Sequence, residues 1–210
     1  MMKPFARSLA LVLALLPMAA LAQANAPADP NQGPPPVDEI ERGFYVGVTG
    51  GPFYMMDAPA PEGDLRPSSL GQTAQVEVGV DIGSYLSVGV FLAGTANRFG
   101  SDYRGFSGGV ASGDLSMLVP GALIRVNAFG FRDSQAVKRT WIYVRAGAGY
   151  AMFSPRQLVP EADILAFGGI GLEYYTKLRH FSVGIEVSGS YLVDSGAMGL
   201  SVMPSLRYAF

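Results

Sequence analysis

Two groups of side chains in this sequence have the chemistry to act in a functional site: one histidine and a small set of charged residues in otherwise apolar segments. His180 is the single histidine, and the chain has no cysteine. Nucleophilic and acid–base catalysis usually need a histidine beside a serine or a carboxylate. His180 lies in a short polar turn that begins at Lys177, where a solvated histidine is the favoured interpretation. We therefore predict that the protein is not an enzyme.

The charged residues occur singly, at alternate positions of segments with strand-like sequence. A charge inside a protein is tolerated when an opposite charge pairs with it. We therefore predict a network of ion pairs inside a closed sheet, with simple packing or hydration as the alternative for each residue. The predicted network consists of Glu77, Asp114, Arg125, Arg145, Glu173, Glu186 and Arg207.

No other spacing in the sequence indicates a ligand. There is no metal-ligand motif, no phosphate-binding glycine loop and no basic stripe for nucleic acid. We expect no metal, no other cofactor and no nucleic-acid partner. The formal net charge is −2, and it falls by two further units if Lys3 and Arg7 are removed. This charge argues against nucleic acid or a general anionic membrane surface as partner.

The first residues indicate export. Lys3 and Arg7 precede a short apolar stretch, and Ala20-Leu21-Ala22 offers a cleavage site. We interpret residues 1–22 as a cleaved signal peptide rather than a retained membrane helix. Residues 23–42 are rich in proline and are predicted to form an extended periplasmic linker.

The remaining residues, 43–210, show the two-residue hydrophobic period of β-strands. Charged residues make up 15% of the chain, against roughly 25% in soluble domains. Beyond the N-terminus no apolar run approaches the roughly 18 residues of a membrane helix. The segment from Asp114 to Asn127 is irregular, because Asp114 and Arg125 fall on opposite parities. We expect a β-bulge near Pro120-Gly121 to restore the alternation.

The two faces of the strands differ in a way that favours a membrane protein. In a soluble barrel the apolar face would point inward and a strongly polar face would point to water. Here the second face is mostly glycine, alanine and serine with isolated charges, which suits the crowded interior of a small barrel. Aromatic residues lie near the strand ends, as at membrane interfaces. We predict an all-β transmembrane antiparallel up-and-down barrel of about eight strands.

The last strand resembles a known signal. Leu206, Tyr208 and Phe210 share one face, and they resemble the C-terminal signal of bacterial outer-membrane β-barrels. The runs 169–174 and 183–187 are similar to strands of small barrels of the OmpA/OmpX/OmpW type. The resemblance implies an outer-membrane location, recognition by the barrel-assembly machinery and closure against the first strand. A weaker similarity, of overall style only, is to small envelope barrels of myxobacterial adventurous gliding motility.

We predict a barrel with a plugged lumen that contacts outer-membrane lipid and acts in envelope structure, adhesion or interaction through outward loops. An envelope or cell-surface protein is the expected partner, and cell-surface motility machinery is one setting. The connection 129–139 is long for a periplasmic turn, and solvation explains its charge better than docking. Two alternatives stay open: a lipid-modifying enzyme, and a channel or carrier for a hydrophobic molecule. The proposed lining of that channel is Phe91, Leu118, Tyr143, Tyr175 and Met203.

Overall fold

The computed structural model describes residues 40–111, 113–134 and 136–210, which form a closed antiparallel barrel. Each strand pairs with the next one along the chain, and β8 pairs with β1. The predicted signal peptide and nearly all of the predicted linker lie outside the described residues. The strands are β1 (Phe44–Met56), β2 (Ser69–Ile82), β3 (Leu86–Asn97), β4 (Leu115–Arg132), β5 (Lys138–Ser154), β6 (Asp163–Tyr175), β7 (Phe181–Leu192) and β8 (Met198–Ala209).

The two ends of the barrel carry connections of different length. Three short connections, residues 83–85, 133–137 and 176–180, lie at one end, which we call the turn end. The four other connections lie at the opposite end, which we call the loop end. These are residues 57–68, 98–114, 155–162 and 193–197. In the described part of the chain, no helix is long and apolar enough to cross a membrane.

The alternation of residue types sets which face of each strand points outward. On β2, Val76, Val78 and Val80 point outward and are 37–52% exposed, whereas Glu77 between them is 7% exposed. The same pattern recurs on every strand, so an apolar belt surrounds a lumen filled with small and polar side chains. A continuous exposed belt of this kind is stable against lipid rather than water. The predicted fold class and the predicted direction of the faces are confirmed.

Strand β4 departs from the prediction in its register. Every second residue from Leu115 to Asn127 points inward without interruption, and Pro120 points outward. No bulge is needed at Pro120, because the β3 pairing continues through it; the irregularity lies further on, between Asn127 and Phe129. Asp114 precedes the strand, is exposed and lies 3.8 Å from Arg98. Its assignment to the lumen was therefore wrong.

The hairpin of β4 and β5 is longer than the sequence suggested. Strand β4 ends at Arg132 and β5 begins at Lys138, so most of the connection predicted at 129–139 is strand. The true turn is residues 133–137, where the backbone N–H of Asp133 donates to the carbonyl of Val137 at 2.9 Å. On the inner face of the hairpin, a Cβ added at Gly130 would lie 2.9 Å from the Trp141 ring, so glycine allows the indole to lie flat against the strand.

The barrel closes through an aromatic seam at the turn end. Leu206 pairs with Val48 and Tyr208 with Val46 across β8 and β1. The ring of Phe210 lies 4.9 Å from that of Tyr208 and 5.6 Å from that of Phe44. The predicted assembly signal of Leu206, Tyr208 and Phe210 therefore lies on the outward surface, at the junction of the last and first strands.

Candidate functional site: the plugged lumen and the loop crown

Charged side chains fill the middle of the lumen because they stand at the inward-facing positions of their strands. Arg145 on β5 donates to Glu77 on β2 at 2.8 Å and to Glu186 on β7 at 2.7 Å. The hydroxyl of Tyr143 donates to Glu186 at 3.0 Å, and the amide of Gln75 donates to Glu77 at 3.0 Å. All five side chains are buried. One guanidinium thus joins three strands across the interior.

A second charged group lies closer to the turn end. Glu173 on β6 forms ion pairs with Arg125 and, at 4.0 Å, with Arg207, and it accepts a hydrogen bond from Ser182 at 2.7 Å. Arg207 also forms an ion pair with Asp81 on β2. The structure therefore brings together six of the seven residues of the predicted network, Asp114 being the exception.

Asp81 belongs to this group, although the sequence prediction did not include it. It lies on the same inward face of β2 as Glu77, near the end of the strand. In the structure it accepts a hydrogen bond from Ser87 at 2.6 Å. The alternation alone would have identified it, because β2 extends to Ile82. We call the four carboxylates and three arginines the lumen network: Glu77, Asp81, Glu173, Glu186, Arg125, Arg145 and Arg207.

Aromatic rings support two of the arginines. The guanidinium carbon of Arg125 lies 3.7 Å from the centre of the Tyr143 ring, and that of Arg207 lies 3.5 Å from the centre of the Tyr45 ring. These distances are within the range of cation–π attraction. The arginines therefore interact with both ions and ring faces, and this leaves little room for free movement in the lumen.

Apolar clusters close the lumen on either side of the network. At the turn end, Ile40, Val137, Trp141 and Tyr175 are buried against one another. At the loop end, a larger buried cluster includes Phe53, Met117, Phe153 and Leu165 from the strands and Tyr103 and Leu158 from the loops. The cavity between this cluster and Arg145 has a volume of about 50 Å³, and Phe91 and Met203 contribute to its lining.

The residues proposed to line a hydrophobic channel are not brought together. Leu118 points outward and is 45% exposed. Tyr143 contacts the lumen network, and Tyr175 lies in the cluster at the turn end. Only Phe91 and Met203 line the same cavity, whose volume of about 50 Å³ is well below the roughly 300 Å³ of small-molecule pockets.

The four connections at the loop end pack on one another, and we call them together the loop crown (residues 57–68, 98–114, 155–162 and 193–197). The hydroxyl of Tyr103 donates to the carbonyl of Pro59 at 2.7 Å, which joins the first two loops. The backbone N–H of Phe106 donates to the carbonyl of Leu158 at 2.7 Å, which joins the second loop to the third. Gly105 has a φ of +51°, and a Cβ there would lie 2.3 Å from the carbonyl oxygen of Leu158.

Two charged side chains hold the backbone of the fourth loop, one as acceptor and one as donor of hydrogen bonds. The carboxylate of Asp163 accepts hydrogen bonds from the backbone N–H groups of Asp194 and Ser195, each at 2.9 Å. Arg66 of the first loop donates to the carbonyl oxygens of Ser195 and Ala60, each at 3.0 Å. Because each loop is bonded to another, the crown presents a fixed surface.

A cleft of about 280 Å³ opens on this surface. Its apolar wall comes from Phe106, Val159 and Pro160, and its polar wall includes the exposed carboxylates of Glu161 and Asp194. Apolar surface beside carboxylates suits the side chain of a lysine or an arginine, which has an apolar stem and a charged tip.

The same architecture occurs in solved structures of outer-membrane proteins. Neisserial surface protein A matches with a TM-score of 0.57 and 15% identity, covering 80% of this chain and 97% of that chain. The chain has the fold of the small outer-membrane β-barrels. The attachment invasion locus protein Ail of Yersinia pestis matches with a TM-score of 0.41 and 17% identity, covering 81% and 100% of the two chains.

The outer membrane enzyme PagL matches with a TM-score of 0.40 and 11% identity, covering 80% of this chain and 99% of that chain. No protein-family model matches the sequence, and no curated protein sequence matches it.

The ring of His180 packs against the last residues of the barrel. It lies in the turn 176–180, and its Nδ1 is 2.8 Å from the carbonyl oxygen of Ala209. Its ring stacks on Tyr208 with 5.3 Å between the ring centres. In the described ranges, no group of three or more histidine, aspartate or glutamate residues is placed to hold a metal ion.

Proposed function

We propose that the protein is a non-enzymatic barrel of the bacterial outer membrane, with the turn end in the periplasm and the loop crown outside the cell. The outward apolar belt supports contact with outer-membrane lipid. The seam at Phe210 supports recognition by the barrel-assembly machinery, since the strand that carries it is also the strand that closes the barrel. Such a barrel acts through its exposed surface rather than through its interior.

The observation that carries this proposal is the closure of the lumen. Arg145 is bonded to carboxylates from β2 and β7, and apolar clusters lie on both sides of it. An open path would require these ion pairs to separate in a site where unpaired charges are costly. The cavity of about 50 Å³ also argues against a stored hydrophobic ligand.

The loop crown is the surface that we propose to bind a partner. Its charge is acidic, with seven carboxylates against four arginines. The carboxylates are Asp57, Glu62, Asp64, Asp102, Asp114, Glu161 and Asp194, and the arginines are Arg66, Arg98, Arg104 and Arg156. We propose an envelope or cell-surface protein with a basic contact surface as partner. Envelope structure, adhesion and the cell-surface motility machinery are settings in which this contact would operate.

His180 supports the non-enzymatic part of the proposal. Its ring nitrogen faces the backbone of Ala209 and its ring face is covered by Tyr208. It therefore lies at the turn end, far along the barrel from the crown cleft, and is engaged in the seam. A lipid-modifying enzyme of the outer leaflet would need its base at the loop end.

Conductance tests the closed lumen. The full chain is reconstituted in planar bilayers, and we expect no steady open current from the wild type. A stable conductance of constant size would contradict the plugged barrel and favour a channel.

A capture experiment on intact cells tests the crown. The variant Glu161→Gln with Asp194→Asn removes two charges from the cleft, and Glu62→Gln with Asp64→Asn removes the same charge from another part of the crown. We expect the cleft variant to capture less than about one tenth of the basic cell-surface partner that the wild type captures, because it loses two charge-assisted contacts. Equal retention by both variants would contradict the cleft as the binding site.

A further inference from the structure

The β4–β5 hairpin extends beyond the barrel at the turn end. The last β3 partner of β4 is Leu86, opposite Val126, yet β4 continues for six more residues to Arg132. On the outer face of this extension, Phe129 is 65% exposed and Phe131 is 53% exposed. Two large aromatic side chains therefore project from the wall where the neighbouring strand has already ended.

Packing on the inner face of the hairpin holds the hairpin in place, but it does not involve the rings of Phe129 and Phe131. Gly130 and Val137 contact the cluster that closes the lumen, through Trp141. Phe129 pairs with Ile142 and continues the outward apolar face of the wall toward the periplasm. Exposed aromatic residues at the edge of an apolar belt are typical of the membrane interface.

Basic side chains are concentrated at the turn end, the end of the barrel from which this extension projects. Of the described residues, six bases lie at the turn end against two carboxylates, the reverse of the balance on the crown. The bases are Arg42, Arg132, Lys138, Arg139, Lys177 and Arg179, and the carboxylates are Glu41 and Asp133. The slightly negative net charge of the chain thus conceals a strong separation of charge along the barrel axis.

Three of these bases are available to a ligand. Arg132, Lys177 and Arg179 are exposed. Within the described part of the chain, none of the three forms a salt bridge with a carboxylate. Leu178, between the last two, is 66% exposed and adds another apolar group at the turn end.

We propose that the turn end binds anionic phospholipid of the periplasmic leaflet. Phe129 and Phe131 contact the acyl chains near the headgroups, and Arg132, Lys177 and Arg179 contact the phosphate groups. Cationic side chains beside interfacial aromatic residues attract anionic headgroups in this way. The inference rests on the proposed placement of the barrel in the outer membrane.

A lipid fits this surface better than an anionic cell-wall polymer. A polymer in the periplasm would contact charges alone, whereas the same end of the barrel also exposes phenylalanines that continue the lipid-facing wall. Water contact at Phe129 and Phe131 would be unfavourable, and acyl chains remove it. The surface is therefore suited to a ligand with both a phosphate and a hydrocarbon part.

The test compares two variants of the full chain that carry the same net charge. The turn-end variant is Arg132→Gln, Lys177→Gln, Arg179→Gln, and the control is Arg98→Gln, Arg104→Gln, Arg156→Gln at the loop end. Each is reconstituted in phosphatidylcholine vesicles, and electron paramagnetic resonance measures its preference for spin-labelled phosphatidylglycerol over spin-labelled phosphatidylcholine. We expect a preference of about fivefold for wild type and control, and a preference near one for the turn-end variant.

Two results would overturn the inference. One is equal affinity of the wild type for the two lipids; the other is an equal loss of preference in both variants. Sedimentation of the wild type with isolated cell wall, lost only in the turn-end variant and without a lipid preference, would assign the surface to the polymer instead. Failure of the wild type to insert into vesicles would contradict the proposed membrane placement itself, whereas insertion without preference contradicts this inference alone.

Discussion

Arg145 and Glu77 form an ion pair at 2.8 Å although their strands, β5 and β2, are three apart around the barrel. The two residues are 68 positions apart in the sequence. This contact therefore crosses the lumen and links sides of the wall that no backbone hydrogen bond joins. The second carboxylate on Arg145, from Glu186, makes the same guanidinium the centre of the plug.

Replacing Arg145 with methionine should destabilise the barrel by about 3–5 kcal/mol, because Glu77 and Glu186 would be left as buried charges without their partner. Urea unfolding in detergent micelles, followed by the fluorescence of Trp141, measures the loss. Trp141 is the single tryptophan of the chain.

A triple variant provides the matched control. With Glu77→Gln and Glu186→Gln added to Arg145→Met, no charge is left unpaired, and most of the lost stability should return. If Arg145→Met alone costs less than about 1 kcal/mol, the pair behaves like a solvated surface ion pair and the lumen is wet.

Gly171→Ala should disturb the network through packing alone. An added Cβ would lie 2.3 Å from the Tyr143 ring, which holds Glu186 and faces Arg125. We expect a loss of about 1–3 kcal/mol, as for other overpacked sites. Gly94→Ala is the control, because a Cβ there meets no atom within 4 Å. A similar urea midpoint for the two variants would show that Tyr143 moves aside at no cost.

The strands and their faces were predictable because the barrel repeats one physical rule. Residues that touch lipid and residues that fill the lumen alternate on every strand, so Glu173 and Val183 could be assigned to opposite faces from parity. The rule fails where an irregularity is assumed that the strand does not have. Asp114 alternates with the inward-facing residues from Leu115 to Asn127, and only the expected bulge at Pro120-Gly121 assigned it to the lumen.

Contacts between loops could not be predicted from the alternation. Tyr103 and Pro59 are 44 positions apart, and neither lies in a periodic segment. Their contact depends on the barrel having already brought the ends of β1, β2, β3 and β4 together. The length of the β4–β5 hairpin was missed for a related reason, since glycine and charged residues normally indicate a turn, whereas Gly130 here makes room for Trp141.

Phe210→Ala should impair assembly more than stability. Its ring contacts Phe44 and Tyr208 on the outward surface of the seam, where it is 60% exposed, so its removal leaves no cavity in the lumen. In cells we expect a severalfold smaller folded fraction, while refolding of the purified chain in micelles stays close to that of the wild type. Phe106→Ala, at a 45% exposed ring of the crown, is the control. Equal defects in cells and in micelles would assign Phe210 to the stability of the seam instead.

The crown should lose order at high pH because of Tyr103. Burial raises the pKa of Tyr103 from 10.0 to about 12, so the folded crown favours the neutral phenol that donates to Pro59. This contribution is complete below pH 10.0 and is lost as the pH rises through about 12, because the unfolded chain ionises first.

Ultraviolet difference titration of the wild type against Tyr103→Phe isolates this one phenol, and near-ultraviolet circular dichroism follows the order of the crown. We expect the difference titration to have its midpoint near pH 12, and Tyr103→Phe to weaken the crown by about 1 kcal/mol at neutral pH through the lost hydrogen bond. A midpoint at 10.0 would mean that water reaches Tyr103 and that the first two loops are not joined through it.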